Sequence, residues 1–128
     1  MERLGERLNV ATFAVRGPVN EALAWSLVWG LIAALRMNEA PGATACWYPL
    51  PGGKGGLGFT LFQPITESFI AVDAWPDHGG AYVVICSCRP FNTDKVLNVF
   101  IGQDLTVIES NEHNLSLKDM DDATILPR

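Results

Sequence analysis

The chain predicts an α+β fold: a two-layer α/β sandwich with a mainly antiparallel sheet and two helices on one face, built as a single domain over residues 1–128. Three observations predict it. Periodic segments come in the order strand, helix, several strands, helix, strand, which suits helices packed on an antiparallel sheet. Residues 68–74 and 81–88 are apolar, β-branched runs separated only by a turn-rich stretch with Pro76, Gly79 and Gly80, so they form a hairpin. And 48% of the residues are apolar while 18% are charged, a balance that closes a core and is foreign to disordered chains.

Taken in order, residues 8–15 are apolar and β-branched and read as a first strand, ended by Arg16-Gly17-Pro18. A helix follows over 19–37, with Asn20 as cap, Glu21 in the first turn and Arg36 near the end, where each charge suits the helix dipole. Its apolar residues, Trp25 and Trp29 among them, go nearly all round, so cover is expected on more than one side, from the sheet and from a second subunit. Pro41-Gly42 breaks the helix. A short strand is expected over 43–48, a loop over 49–56 and a strand over 58–62, with Pro64 as a strand end or bulge. The Val and Ile run of 81–88 implies burial on both faces. Thr93 can cap a short helix over 94–101, a last strand covers 105–109, and residues 111–128 read as a loose polar tail.

Composition also excludes functions. A net charge of -5 without a basic cluster argues against a nucleic-acid partner. The most apolar stretch, 22–35, is too short for a membrane helix. Three cysteines, Cys46, Cys86 and Cys88, cannot all pair within the chain, and charges interrupt any leader-like run at the N-terminus, so the cytoplasm is the expected location. The loop Gly52-Gly53-Lys54-Gly55-Gly56 lacks the Ser or Thr and the helix that a phosphate-binding P-loop needs, and reads as a flexible loop or lid. Cys86, Cys88 and His78 do not have zinc-site spacing, with Cys46 or His113 as the remaining candidates, and no metal is expected. A G-x-S-x-G elbow is absent, so no hydrolase triad is expected.

Glu67-Ser68, the stretch Asp73-Ala74-Trp75-Pro76-Asp77-His78-Gly79 and the later Cys88 together resemble the small prokaryotic S-adenosylmethionine decarboxylases. That family's motif runs Glu-Ser-His, three residues, His-Thr-Trp-Pro-Glu-His-Gly, then a strand ending Thr-Cys, and the spacing matches without gaps from Glu67 to Cys88. Leu4-Gly5-Glu6-Arg7-Leu8 also resembles the family's leading Leu-Gly-Arg-His-Leu. The resemblance implies a pyruvoyl enzyme that cleaves itself between Glu67 and Ser68, converts Ser68 into the pyruvoyl group that forms a Schiff base with substrate, and uses Cys88 as proton donor. It also implies substrate binding by Trp75 and Asp77, a role in polyamine synthesis, and a homodimer with each site completed across the interface.

Two departures set the alternatives. Phe69 replaces the histidine after the serine, and Asp73 replaces the histidine that assists processing, putting a carboxylate where the family has the stronger base. Asp73 either still serves as the processing base or faces a substrate with a distal cation, such as ornithine or arginine. A third reading is a homologue that never processes and acts as a binding or regulatory subunit.

Overall fold

The computed structural model describes residues 7–53 and 55–116; the Leu4-Gly5-Glu6 part of the leading motif, Lys54 and residues 117–128 lie outside the described residues. Alternating side chains build β1 (Arg7–Arg16), and the apolar run after it builds α1 (Glu21–Leu35). Asn20 caps α1 as expected, its side chain accepting from the Leu23 N–H at 2.8 Å. Next come β2 (Thr44–Pro49), β3 (Leu57–Ile65), β4 (Ser68–Trp75), a single helical turn at Pro76–His78, β5 (Gly80–Ser87), α2 (Thr93–Gly102) and β6 (Thr106–Ser116).

All strand pairs are antiparallel, in the order β2-β3-β4-β5-β1-β6. Register sets the core. Phe13, Val83, Val72 and Leu61 lie side by side across four strands, all buried, and they share one cluster with Leu27, Val28 and Leu31 of α1 and Val96 and Phe100 of α2. Phe13 meets Phe100 edge to face at 5.3 Å between centroids. Both helices therefore cover one face of the sheet, and the predicted α+β sandwich is what is observed.

Several local expectations change. The apolar residues of α1 that are buried, Ala24, Leu27, Val28, Leu31 and Leu35, fall on one side; Trp29 is 55% exposed on the other, so the helix is not enclosed within this chain. Pro64 sits inside β3 rather than ending it. Its carbonyl accepts from the Ala40 N–H at 3.0 Å, so its missing N–H is on that same side and costs the β4 ladder nothing. Asn92, not Thr93, caps α2, accepting from the Asp94 N–H at 2.9 Å. In β5 the two-sided burial is confined to its second half, since Tyr82 is 51% exposed. Residues 111–116, expected in the loose tail, are paired with β1 as the second half of β6. Their Asn, Glu and His side chains suit an exposed edge strand, which polar residues protect from further pairing.

Candidate active site

The two-residue turn between β3 and β4 presents the Glu67–Ser68 peptide. Ser68 opens β4 opposite Ser87, and the backbone N–H of Cys88, just beyond β5, donates to the Glu67 carbonyl at 2.9 Å. Ser68, Glu67 and Cys88 are thus brought together, as their spacing predicts. The Ser68 φ of 159° lies at the margin of the extended region, so it stores no strain worth counting. The Glu67 side chain is only 10% exposed. Its Oε1 accepts from the Asn38 N–H at 3.1 Å and its Oε2 from Asn38 Nδ2 at 2.9 Å, with Arg89 Nη2 at 4.0 Å. Burial pushes this carboxyl up, but the hydrogen bonds from Asn38, joined by those from its own backbone N–H and the Thr66 side chain, together outweigh it and hold the carboxyl below the usual range. Cys86, paired with Phe69, is buried, and burial raises its thiol pKa; it packs as a small apolar group.

A second group gathers at the other end of β4, on the sheet face that the helices leave uncovered. Cys46, Thr60, Asp73, Tyr82, Ala14 and Glu109 form a row across the strands of that face. Within it Asp73 Oδ1 accepts from Tyr48 Oη at 2.5 Å and from Thr60 Oγ1 at 3.1 Å. Tyr48 reaches Asp73 because its cross-strand partner is Gly58, where any Cβ would overlap the phenol ring. Burial first, then the hydrogen bond to Asp73, raise the Tyr48 pKa above its ordinary value. Trp75 packs edge-on against Tyr82 at 4.8 Å, and these two line an open cavity of ≈ 520 Å³ with Leu50, Pro51 and His78.

The glycine loop closes over the turn beside this cavity. His78 Nε2 lies 2.7 Å from the Gly55 carbonyl, and a Cβ on Gly56, at φ 95°, would come within 2.7 Å of Asp77 Oδ2. Only glycine lets the loop approach Asp77 so closely. Gly55 and Gly56 thus pack against the Asp77–His78 turn.

Within one chain the two groups do not meet. Ser68 and Asp73 are five residues apart on one strand, about 16 Å at the usual rise. Asp73 therefore does not reach the Ser68 of its own chain. Among the described residues no three His, Cys, Asp or Glu side chains converge, and Cys46 and His113 lie on opposite edge strands. Also among the described residues, no helix is long and apolar enough to cross a membrane. Sequence reasoning missed Tyr48, Thr60, Asn38 and Arg89. Their partners are set by strand register and by the path of the chain after α1, for which local periodicity carries no signal.

A six-stranded antiparallel sheet with two helices on one face, presenting a Glu-Ser turn to a cysteine backbone, defines the class: a two-layer α+β sandwich. The solved structure of the adenosylmethionine decarboxylase from Aquifex aeolicus has this fold, superposing with a TM-score of 0.56 at 18% identity over 88% of this chain and 92% of that one. The S-adenosylmethionine decarboxylase proenzyme of Pyrobaculum arsenaticum is 36% identical over 55 residues, 43% of this chain and 42% of that relative's length. No family profile matches the chain. The chain thus shares its fold with the Aquifex aeolicus enzyme and a 55-residue stretch of similarity with the Pyrobaculum arsenaticum proenzyme, spanning less than half of that relative's length.

Proposed function

We propose that this chain is a pyruvoyl-dependent decarboxylase of S-adenosylmethionine, serving polyamine synthesis, that makes its own cofactor by cutting the Glu67–Ser68 peptide. The observation that carries the reading is the 2.9 Å hydrogen bond from the Cys88 N–H to the Glu67 carbonyl. A donor fixed there polarises the carbonyl that the serine must attack and meets the negative charge that develops on its oxygen.

In the first step Ser68 Oγ attacks the Glu67 carbonyl carbon and loses its proton; the C–N bond then breaks, leaving Glu67 esterified to Ser68 and the Ser68 nitrogen as an amine. Loss of the Ser68 α-proton expels Glu67 as a carboxylate. The remaining enamine tautomerises and takes up water, releasing ammonia and leaving pyruvoyl at the head of residues 68–128. The residues present fit the group, since Cys88 lies against the bond that becomes the new terminus. When formed, the ketone supplies an electron sink for loss of CO₂ from an amine substrate. The Cys88 thiol holds the proton to be returned to the substrate carbon. Trp75 and the cavity beside it offer an apolar, aromatic wall for the nucleoside, and Asp77, next in the chain to the cavity-lining His78, supplies the carboxylate to accept hydrogen bonds from ribose hydroxyls.

Asp73 enters this scheme from a second copy of the chain. The separation of about 16 Å along β4 rules out its own Ser68, while the uncovered sheet face is suited to pack on another. Phe62 and Phe69 stack there at 5.0 Å, with Phe62 39% and Tyr82 51% exposed. A homodimer joined through these faces buries them and places Asp73 of one chain opposite the other. One oxygen of Asp73 is engaged by Tyr48 and Thr60, and the other is left for the partner chain. The reading is tested by the intact mass of the purified protein. Two fragments of roughly half the chain each, one lacking a free amino terminus, are expected; a single full-length species that survives long incubation overturns it.

A further inference from the structure

Resting on that self-cleavage reading, we propose that Asn38 and Arg89 are positioning residues that clamp the Glu67 side chain and so aim the peptide to be cut. The chain leaving α1 turns at Arg36, in the left-handed region at φ 53°, and runs back along the end of β3. There it makes two backbone hydrogen bonds to the strand and its turn. The Ala40 N–H donates to the Pro64 carbonyl at 3.0 Å and the Thr66 N–H to the Asn38 carbonyl at 2.8 Å, which together bridge Glu39 to Ile65. Buried Gln63 adds a third link, its Nε2 donating to the Ala40 carbonyl at 3.0 Å.

On this strap, Asn38 offers two donors spaced to fit a carboxylate, and Glu67 fills both, one oxygen to each. A two-point contact fixes the side chain's orientation as well as its position. Arg89 closes the other side. Its Nη2 donates to the Leu35 and Arg36 carbonyls at 3.1 and 2.8 Å, orphan acceptors at the end of α1, and holds its charge 4.0 Å from Glu67 Oε2. The backbone of Arg89 is itself pinned by Ser87 Oγ, which accepts from its N–H at 3.0 Å and donates to its carbonyl at 2.7 Å.

The residue before Arg89 is Cys88, whose N–H holds the Glu67 carbonyl. Residue 67 is therefore gripped by its side chain and by its carbonyl at once, through segments that are themselves tied together at Leu35 and Arg36. Rotation of the Glu67–Ser68 peptide needs one grip to release. A turn that had only to connect two strands requires neither.

The test reverses the polarity of the Asn38–Glu67 contact. Asn38→Asp sets a carboxylate against Glu67 and is expected to slow cleavage about tenfold or more. Adding Glu67→Gln gives the new Asp an amide donor and is expected to restore the rate to within about threefold of the parent. The same pair is read without cleavage in a Ser68→Ala background, by hydrogen exchange at the Cys88 amide: protected in the parent, faster in Asn38→Asp, protected again in the double variant. Where Asn38→Asp does not fold, Asn38→Ala, which loses the Nδ2 contact and keeps the backbone one, replaces it in both measurements, and slower cleavage with faster Cys88 exchange then decides for the clamp without the double variant. If exchange follows the variants but the parent never cleaves, the clamp stands and the self-cleavage reading falls. If exchange and rate ignore Asn38, or the double variant restores neither, the clamp is overturned.

Discussion

The two ends of β4 hold their acidic residues in opposite ways. At the Ser68 end, Glu67 has both carboxylate oxygens occupied by Asn38, a cation nearby, and its carbonyl tied to Cys88. At the far end, Asp73 engages one oxygen with two hydroxyls on an uncovered face and keeps the other available. The first arrangement immobilises a group and is complete within one chain. The second leaves one carboxylate oxygen free on an uncovered face, which is what the proposed role across a dimer interface requires.

The most decisive way to break this comparison is to separate the two ends onto different chains. Asp73→Asn alone is expected to remain uncut. Co-expressed with Ser68→Ala, it is expected to be cut in up to about half of its copies, since mixed pairs contain one intact Asp73 facing one intact Ser68. Mass spectrometry reads the outcome, and an uncut mixture would show that Asp73 does not act between chains.

Next in size is the face itself. Phe62→Asp places a charge in the middle of the apolar patch, and an unpaired buried charge costs several kcal/mol. Light scattering is expected to register a monomer at micromolar concentration, and cleavage should fall with association.

Tyr48 sharpens the comparison chemically. A hydrogen bond to a charged group contributes about 1.5–3 kcal/mol, so Tyr48→Phe is expected to slow cleavage roughly tenfold or more without unfolding the sheet. The chain has 2 tyrosines, so in a Tyr82→Phe background Tyr48 is the sole phenol to titrate. Because folding raises its pKa, the contact is intact below the ordinary tyrosine range and is lost as pH rises through the folded value. Phenolate absorbance should therefore appear later than for free tyrosine. Asp73→Asn should bring it part of the way back, burial accounting for the rest.

The smallest effect is expected on the helix side. Trp29→Ala, at a site 55% exposed, should leave association unchanged and shift stability by no more than about 0.5 kcal/mol. A monomer from this variant would move the interface from the sheet to α1.

Much of the architecture was legible because it rests on local signals: alternation in β1 and β4, Asn20 before an apolar helix, Pro76 and Gly79 between two strands. β6 was half missed because its second part is polar and derives its order from pairing with β1, not from an apolar face. In the same way Glu67, Ser68 and Cys88 could be placed together by their spacing on a hairpin. The partners Asn38 and Tyr48 depend on how a strap folds back and how β2 registers on β3, which no window of neighbouring residues encodes.

The sheet order carries one more consequence. Residues up to Glu67 supply β1, β2 and β3, while residues from Ser68 supply β4, β5 and β6, and β1 lies between β5 and β6. A cut at the β3–β4 turn would therefore leave two interleaved polypeptides, with β1 of one zipped on both edges by β5 and β6 of the other. Such halves cannot drift apart by opening a single seam; they come away only if the sheet is undone, so the severed chain keeps the kinetic permanence of an unbroken one.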